Sequence, residues 1–115
     1  MKNLVGCDIV HIPAFARSVH EGGQEFLARM FSENEQSLAQ SIESLAGFFA
    51  IKESVIKALG RKISWRDIDV YKLESGKPAV RLPLAYALCD CDVSAAHHGE
   101  YCIAVTVLCQ PVQQH

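Results

Sequence analysis

Hydrophobic positions in this chain first alternate with polar ones, then recur at helical spacing, then alternate again, and each change of period marks an element. Residues Asn3 to Ile12, NLVGCDIVHI, form an alternating β-branched run that predicts a strand ended by Pro13. From Pro13 the period turns helical. PAFARSVHEGG opens on proline and closes on Gly22-Gly23, a second short helix covers Gln24 to Phe31, and Ser32 with Glu35 gives a capping-box signal for another from about Glu33. Ser44 to Gly60, SLAGFFAIKESVIKALG, is a longer helix whose Leu45, Phe48, Phe49, Val55, Ile56 and Leu59 make a broad apolar stripe that must face a core. After Gly60, Ile63 to Leu73 reads as a strand, Glu74-Ser75-Gly76 as a turn and Pro78 to Leu82 as a returning strand. Pro83 opens a short helix, LAYALCD, and two further strands follow, Asp92 to His97 and Tyr101 to Cys109, joined at His98-Gly99-Glu100. This order predicts an α+β fold with a mainly antiparallel sheet.

Composition narrows the picture. With 115 residues, half of them hydrophobic and 21% charged, residues 1–115 are expected to form a single domain with a core of its own. A formal net charge of −2 argues against non-specific nucleic-acid binding, which needs a basic excess. The five cysteines, at 7, 89, 91, 102 and 109, are an odd number, and the start MKNLVG lacks the long apolar run of a secretory or membrane segment. Free thiols, a cytoplasmic location and no membrane association are therefore expected.

Two places carry candidate chemistry. Alternation puts Asp8 on one strand face with Leu4, Gly6 and Val10, and an acid among apolar neighbours is rare unless it is paired or bound to metal. Gly6 on the same face is expected to keep it accessible. A structural and a functional role for Asp8 weigh about equally. On the long helix, Ala46, Ala50, Glu53 and Lys57 fall on one narrow band at about 100° per residue. Glu53 and Lys57 there form either a solvated i,i+4 pair or a site in which the alanines leave room for a ligand, Glu53 holds a cation or takes a proton, and Lys57 meets a phosphate. Cys89 and Cys91 with His97-His98 lack the usual zinc spacing, and Cys7, Cys102, Cys109 and Trp65 read most simply as core. A Mg²⁺-dependent nuclease would also use separated acids with a lysine, but its Glu-x-Lys arrangement is absent.

Three separated pieces resemble the marker motifs of the holo-acyl-carrier-protein synthases, the small 4′-phosphopantetheinyl transferases: VGCDIV (5–10), FAIKESVIKALG (49–60) and SAAHHGEYCIAV (94–105). ISWRDIDV and the ESGKP turn are similar too, so the likeness runs from about residue 4 to 108. It implies that family's fold, with helices on one side of the sheet, and an enzyme that moves 4′-phosphopantetheine from coenzyme A to a serine of an acyl or peptidyl carrier protein in fatty acid biosynthesis, releasing 3′,5′-adenosine bisphosphate. By the same resemblance Asp8 and Glu53 match the Mg²⁺-binding acids, and Glu53 or a metal-bound water is the candidate base. Lys57 matches the phosphate-facing lysine, and Gly76, Lys77, Pro78 and His97 match positions that hold the nucleotide and its phosphates. The resemblance further implies a homotrimer with sites between subunits. Phe48 stands where the family often has Arg, Ala96 where Ser is frequent and His11 where Glu is common, and the loop from Gly60 to Ile63 is short. A degenerate, non-catalytic member that binds coenzyme A or a carrier domain is the alternative.

Overall fold

The computed structural model describes residues 2–111. Its elements are β1 (Lys2–His11), α1 (Ile12–Met30), α2 (Glu33–Leu38), α3 (Ile42–Leu59), β2 (Asp69–Lys72), β3 (Pro78–Arg81), β4 (Asp90–His98) and β5 (Tyr101–Gln110). The three long strands form an antiparallel sheet in the order β1-β5-β4, and β2 and β3 form a separate antiparallel hairpin. α3 lies on one face of the larger sheet, over β1 and β5. The α+β class and the antiparallel pairing are those expected from the sequence.

Alternation selects the face that α3 covers. Gly6 and Val10 of β1 are buried, as are Cys102, Ala104, Thr106 and Leu108 of β5. On the opposite face Val5, Ile9, Ile103, Val105 and Val107 are exposed, and the register places Val5 beside Val107 and Ile9 beside Ile103. The sheet therefore has one packed face and one continuous apolar face turned outward.

Local signals placed most of the helix boundaries. Gly23, at φ 57° and ψ −145°, breaks α1 into two helical stretches, as the Gly22-Gly23 pair predicts. Ser32 caps α2 through its Oγ, which accepts the Glu35 N–H at 3.0 Å, while the Ser32 N–H donates to Glu35 Oε1 at 2.8 Å. Gly60 closes α3 in the left-handed region at φ 67°.

Three expectations are corrected. Ile63 to Leu73 is not one strand: Trp65–Asp67 is a 3₁₀ turn and only Asp69–Lys72 is extended. Trp65 stacks on Phe49 with ring centroids 4.7 Å apart while Ile68 is fully buried. Residues three apart point to opposite sides of a strand, so seating both inward requires the turn. The LAYALCD segment is likewise a single 3₁₀ turn, Leu84–Tyr86, with Leu84 and Leu88 exposed and Asp90 already in β4. On α3 the buried apolar set is Ala46, Phe48, Ala50, Ile51, Val55, Ala58 and Leu59, with Leu45, Phe49 and Ile56 only half-buried. Ala46 and Ala50 have no exposed surface and leave no room for a ligand.

Small residues on α3 serve close approach to the sheet. A methyl group on Gly6 would overlap the carbonyl oxygen of Ser54 and lie 2.6 Å from the amide nitrogen of Ala58, so β1 and α3 touch backbone to backbone. Next to this contact the buried hydroxyls of Ser54 and Thr106 share a hydrogen bond of 2.6 Å, which ties the same helix turn to β5. Gly6 thus keeps α3 near the sheet; it is not there to keep Asp8 open. Gly6→Ala should force the helix outward and cost about 1–3 kcal/mol of stability, the usual range for overpacking. Urea denaturation of the variant against wild type measures this, and an unchanged midpoint would contradict the close contact.

Candidate active site

Two residues beyond Gly6, Asp8 leaves β1 on the helix side, with 13% of its side chain exposed. Lys57, in the last turn of α3, donates from Nζ to Asp8 Oδ1 at 3.1 Å. Lys57 therefore pairs with the strand acid, and no Glu53–Lys57 pair forms on the helix surface. Glu53, one turn earlier on α3, lines a cleft of about 320 Å³ together with Asp8. The remaining walls come from the start of α1 and from aromatic side chains, including Phe15, Phe26 and Phe49.

The electrostatics follow from this crowding. Burial raises the Glu53 carboxyl above its ordinary value, the charge of Asp8 raises it further, and Lys57 opposes both. The Lys57 ammonium is raised chiefly by its hydrogen bond to Asp8 and by the Asp8 charge. Two carboxylates lining one open cleft, with Glu53 raised by Asp8, are a donor set suited to a divalent cation. Among the described residues no three His, Cys, Asp or Glu gather at one point. The protein thus offers two acidic ligands, and water or phosphate oxygens would complete the shell, as Mg²⁺ prefers. Cys89 and Cys91 form no such cluster with the histidines, and burial, helped by Asp92 and Cys89, pushes the Cys91 thiol up to about 11.

The other candidate residues lie elsewhere on the chain. Gly76 occupies the β2–β3 turn at φ 87°, a conformation that a side chain would strain. Lys77 beside it donates from Nζ to Asp92 Oδ1 at 2.6 Å and to the Val93 carbonyl at 2.9 Å. That contact, first as a hydrogen bond and then as a charge, holds the Asp92 carboxyl below its usual value. His97 is opposite Cys102 on the packed face of the sheet and, with Pro78, Lys72 and Phe48, lines a second hollow of about 240 Å³. The two hollows have no lining residue in common. One chain therefore brings Asp8, Glu53 and Lys57 together and Pro78 and His97 together, but does not unite the two groups.

Sequence reasoning missed two features near the site. Lys52 and Glu35 are both fully buried and joined at 2.7 Å, although Glu35 had drawn notice only as a cap. The signal was present, because Lys52 falls on the same helical face as Phe48, Val55 and Leu59, and a lysine within an apolar stripe demands an acid partner. His11, at the edge of the first cleft, pairs with Glu100 at 3.2 Å, and the Ile12 N–H donates to the Glu100 carbonyl at 2.7 Å. These contacts fasten the end of β1 to the β4–β5 turn.

Comparison with known proteins agrees with the geometry. Residues 4–106 match the model of the 4′-phosphopantetheinyl transferase superfamily. The holo-[acyl-carrier-protein] synthase of Gloeobacter violaceus is 38% identical, with 87% of each chain covered. Among solved structures, the Helicobacter pylori holo-[acyl-carrier-protein] synthase in complex with coenzyme A is similar at a TM-score of 0.85 and 32% identity, covering 91% of this chain and 99% of that one. The ACPS–CoA complex of Chronobacterium ammoniagenes is similar at a TM-score of 0.83 and 29% identity, covering 97% and 100%. A family match over residues 4–106, with a curated relative 38% identical over most of both chains, means that this protein belongs to the 4′-phosphopantetheinyl transferase superfamily, among the holo-acyl-carrier-protein synthases.

Proposed function

We propose that this enzyme transfers the 4′-phosphopantetheine of coenzyme A to a serine of an acyl or peptidyl carrier protein, with Mg²⁺ held by Asp8 and Glu53, in a homotrimer whose sites lie between subunits. The observation that carries the reading is that Asp8 and Glu53 line one cleft while Lys57, from the same helix as Glu53, donates to Asp8. In the reaction the serine oxygen forms a bond to the β-phosphorus of coenzyme A and the pyrophosphate P–O bond breaks. The leaving 3′,5′-adenosine bisphosphate keeps the electron pair, and the serine proton passes to a base. Little covalent help is needed and much charge must be neutralised. Mg²⁺, when bound, supplies positive charge against the negative charge that builds on the phosphates. Lys57, bonded to Asp8, brings a charge for a phosphate oxygen, and Glu53, whose carboxyl is raised by burial and Asp8, would take the serine proton. Arg17 and Arg29 are exposed on α1, which borders the cleft, and suit an acidic carrier helix.

The separation of the two hollows supports a shared site, because Gly76, Lys77, Pro78 and His97 can serve the cleft of a neighbouring subunit. The outward apolar face of β1 and β5 supports association, since a patch of this kind is a common mark of an interface. The rival reading, a non-catalytic member, draws on Phe48, which is almost fully buried against the His97 hollow where the family often carries a charge. Incubation with Mg²⁺, coenzyme A and a panel of apo-carrier proteins, followed by mass measurement of the carriers, separates the two readings.

Asp8→Ala and Glu53→Ala should each lower that transfer by on the order of 10² or more while the fold survives. Retained turnover in both would sink the metal-site assignment. Because Asp8 raises Glu53 and Lys57 lowers it, Asp8→Asn should lower the Glu53 titration midpoint and Lys57→Met should raise it. The native state holds Glu53 protonated at pH values where the unfolded chain has released that proton, so this group's contribution to stability falls as pH rises from its ordinary value through the raised one. Carboxyl carbon NMR with chelator present reads both midpoints, and shifts of equal sign would contradict the arrangement. For the shared site, inactive Glu53→Ala and His97→Ala proteins, mixed after reversible dissociation, should regain activity through mixed trimers. No recovery despite proven subunit exchange, or a strictly monomeric mass, would overturn it.

A further inference from the structure

The buried Lys52–Glu35 pair is unused by the chemistry above and carries more hydrogen bonds than any other side-chain pair among the described residues. Lys52 Nζ donates to Glu35 Oε1 at 2.7 Å and to the Met30 carbonyl, at the end of α1, at 2.7 Å. Glu35 Oε1 also accepts the Ser32 N–H, and Oε2 accepts the Val70 N–H of β2 at 2.7 Å. Neither residue exposes any surface, and burial pulls the Lys52 ammonium below its ordinary value against the opposing pull of Glu35.

Stability alone does not account for such a pair. Two buried charges carry a heavy desolvation cost, and replacing a buried ion pair by apolar residues of similar volume is often neutral or stabilising. Fully buried Phe31, Val55, Ile68 and Val70 already supply an apolar core. What the pair adds is direction. Apolar contacts tolerate a small rotation of a helix, whereas an ammonium held by a carbonyl and a carboxylate that is itself fixed by two backbone N–H groups does not.

We propose that Lys52, clamped by Glu35, is the positioning residue that sets the rotation and axial register of α3 so that the carboxylate of Glu53 meets Asp8. The inference rests on the transferase reading of the cleft. Lys52 precedes Glu53 directly, a rise of about 1.5 Å along the helix, so the anchored residue and the working one have almost no lever between them. With side chains reaching about 6 Å from a helix axis, a rotation of roughly 20° moves a carboxylate by about 2 Å. Misplacement by about 1 Å already costs on the order of 10² in rate where geometry controls the chemistry.

The deciding variant is the double substitution Lys52→Met with Glu35→Leu, which removes both charges and approximately keeps volume. It is compared with wild type by urea denaturation, by kcat and KM for coenzyme A, and by Mn²⁺ affinity from electron paramagnetic resonance without donor or acceptor. The expected result is a denaturation midpoint at or above wild type, kcat lower by at least about tenfold, KM for coenzyme A within about twofold, and Mn²⁺ bound several-fold more weakly. A stable double variant with kcat and Mn²⁺ affinity within twofold of wild type would show that the pair is structural only. Should that variant not fold, Glu35→Gln takes its place. It keeps the shape and an acceptor for Lys52 but sets its own amide against the Val70 N–H. Loss of kcat and Mn²⁺ affinity in the folded Gln variant supports the proposal, and unchanged values overturn it. Absence of carrier modification by the wild-type protein would sink the transferase reading separately, and the Mn²⁺ comparison would still decide the positioning role. Wild-type protein that neither transfers nor binds Mn²⁺ would sink both.

Discussion

The backbone contact between β1 and α3 is the constraint on which the rest depends. Without a side chain at Gly6, the strand lies against the carbonyl of Ser54 and the amide of Ala58, closer than any residue with a Cβ would permit. That distance decides which side chains meet farther along. Asp8, two residues on, comes within reach of the helix, and the long side chain of Lys57 folds back onto it. It also brings two carboxylates to one cleft, where burial and the charge of Asp8 make Glu53 harder to ionise.

Much of this was legible from short-range rules. Period-two and period-3.6 patterns, Pro13, the Ser32–Glu35 box and Gly60 each express a local preference that the tertiary structure does not override. The Ile63 to Leu73 strand was misread because Trp65 and Ile68, three apart, both turn inward through a 3₁₀ turn, and the deciding partner, Phe49, is distant in sequence. The alanines of α3 were misread for a related reason. A small residue signals close approach without saying whether a ligand or another backbone fills the space, and here Ala46 and Ala50 meet protein. Asp8, Glu53 and Lys57 stood out as an acid in an apolar strand and a charged pair on an apolar helix, and the family resemblance attached roles to them; the structure sets Lys57 on Asp8 and brings Asp8 and Glu53 to one cleft. Glu35 with Lys52 joins residues 17 apart and His11 with Glu100 joins residues 89 apart, and no periodicity links such pairs.

The candidate residues fall in separate places: Asp8 and Glu53 line one cleft, Pro78 and His97 another, and Lys77 a third beside Asp92 and Val93. β1 and α3 present acids and an ammonium, and the β2–β3 turn with the end of β4 presents a glycine, a lysine and a histidine. Each set is held by its own local contacts. Lys77 is steadied by Asp92 and the Val93 carbonyl, and Lys57 by Asp8, so neither ammonium needs the other half of the site to be ordered. Two separately held groups on one chain would suit the symmetric assembly proposed above, in which each copy would contribute one surface of each kind.

Cys7 is exposed, on the same side of β1 as Val5 and Ile9 and across from Val105 on β5. In contrast, Cys102 is buried, and its thiol is held protonated, first by burial and then by the charge of Asp8. The chain thus carries a native reporter in the middle of its outward apolar surface. The rate at which a bulky thiol reagent labels Cys7 measures how long that surface stays uncovered, so the lifetime of any assembly formed through it can be read from unmodified protein, with no tag or dye.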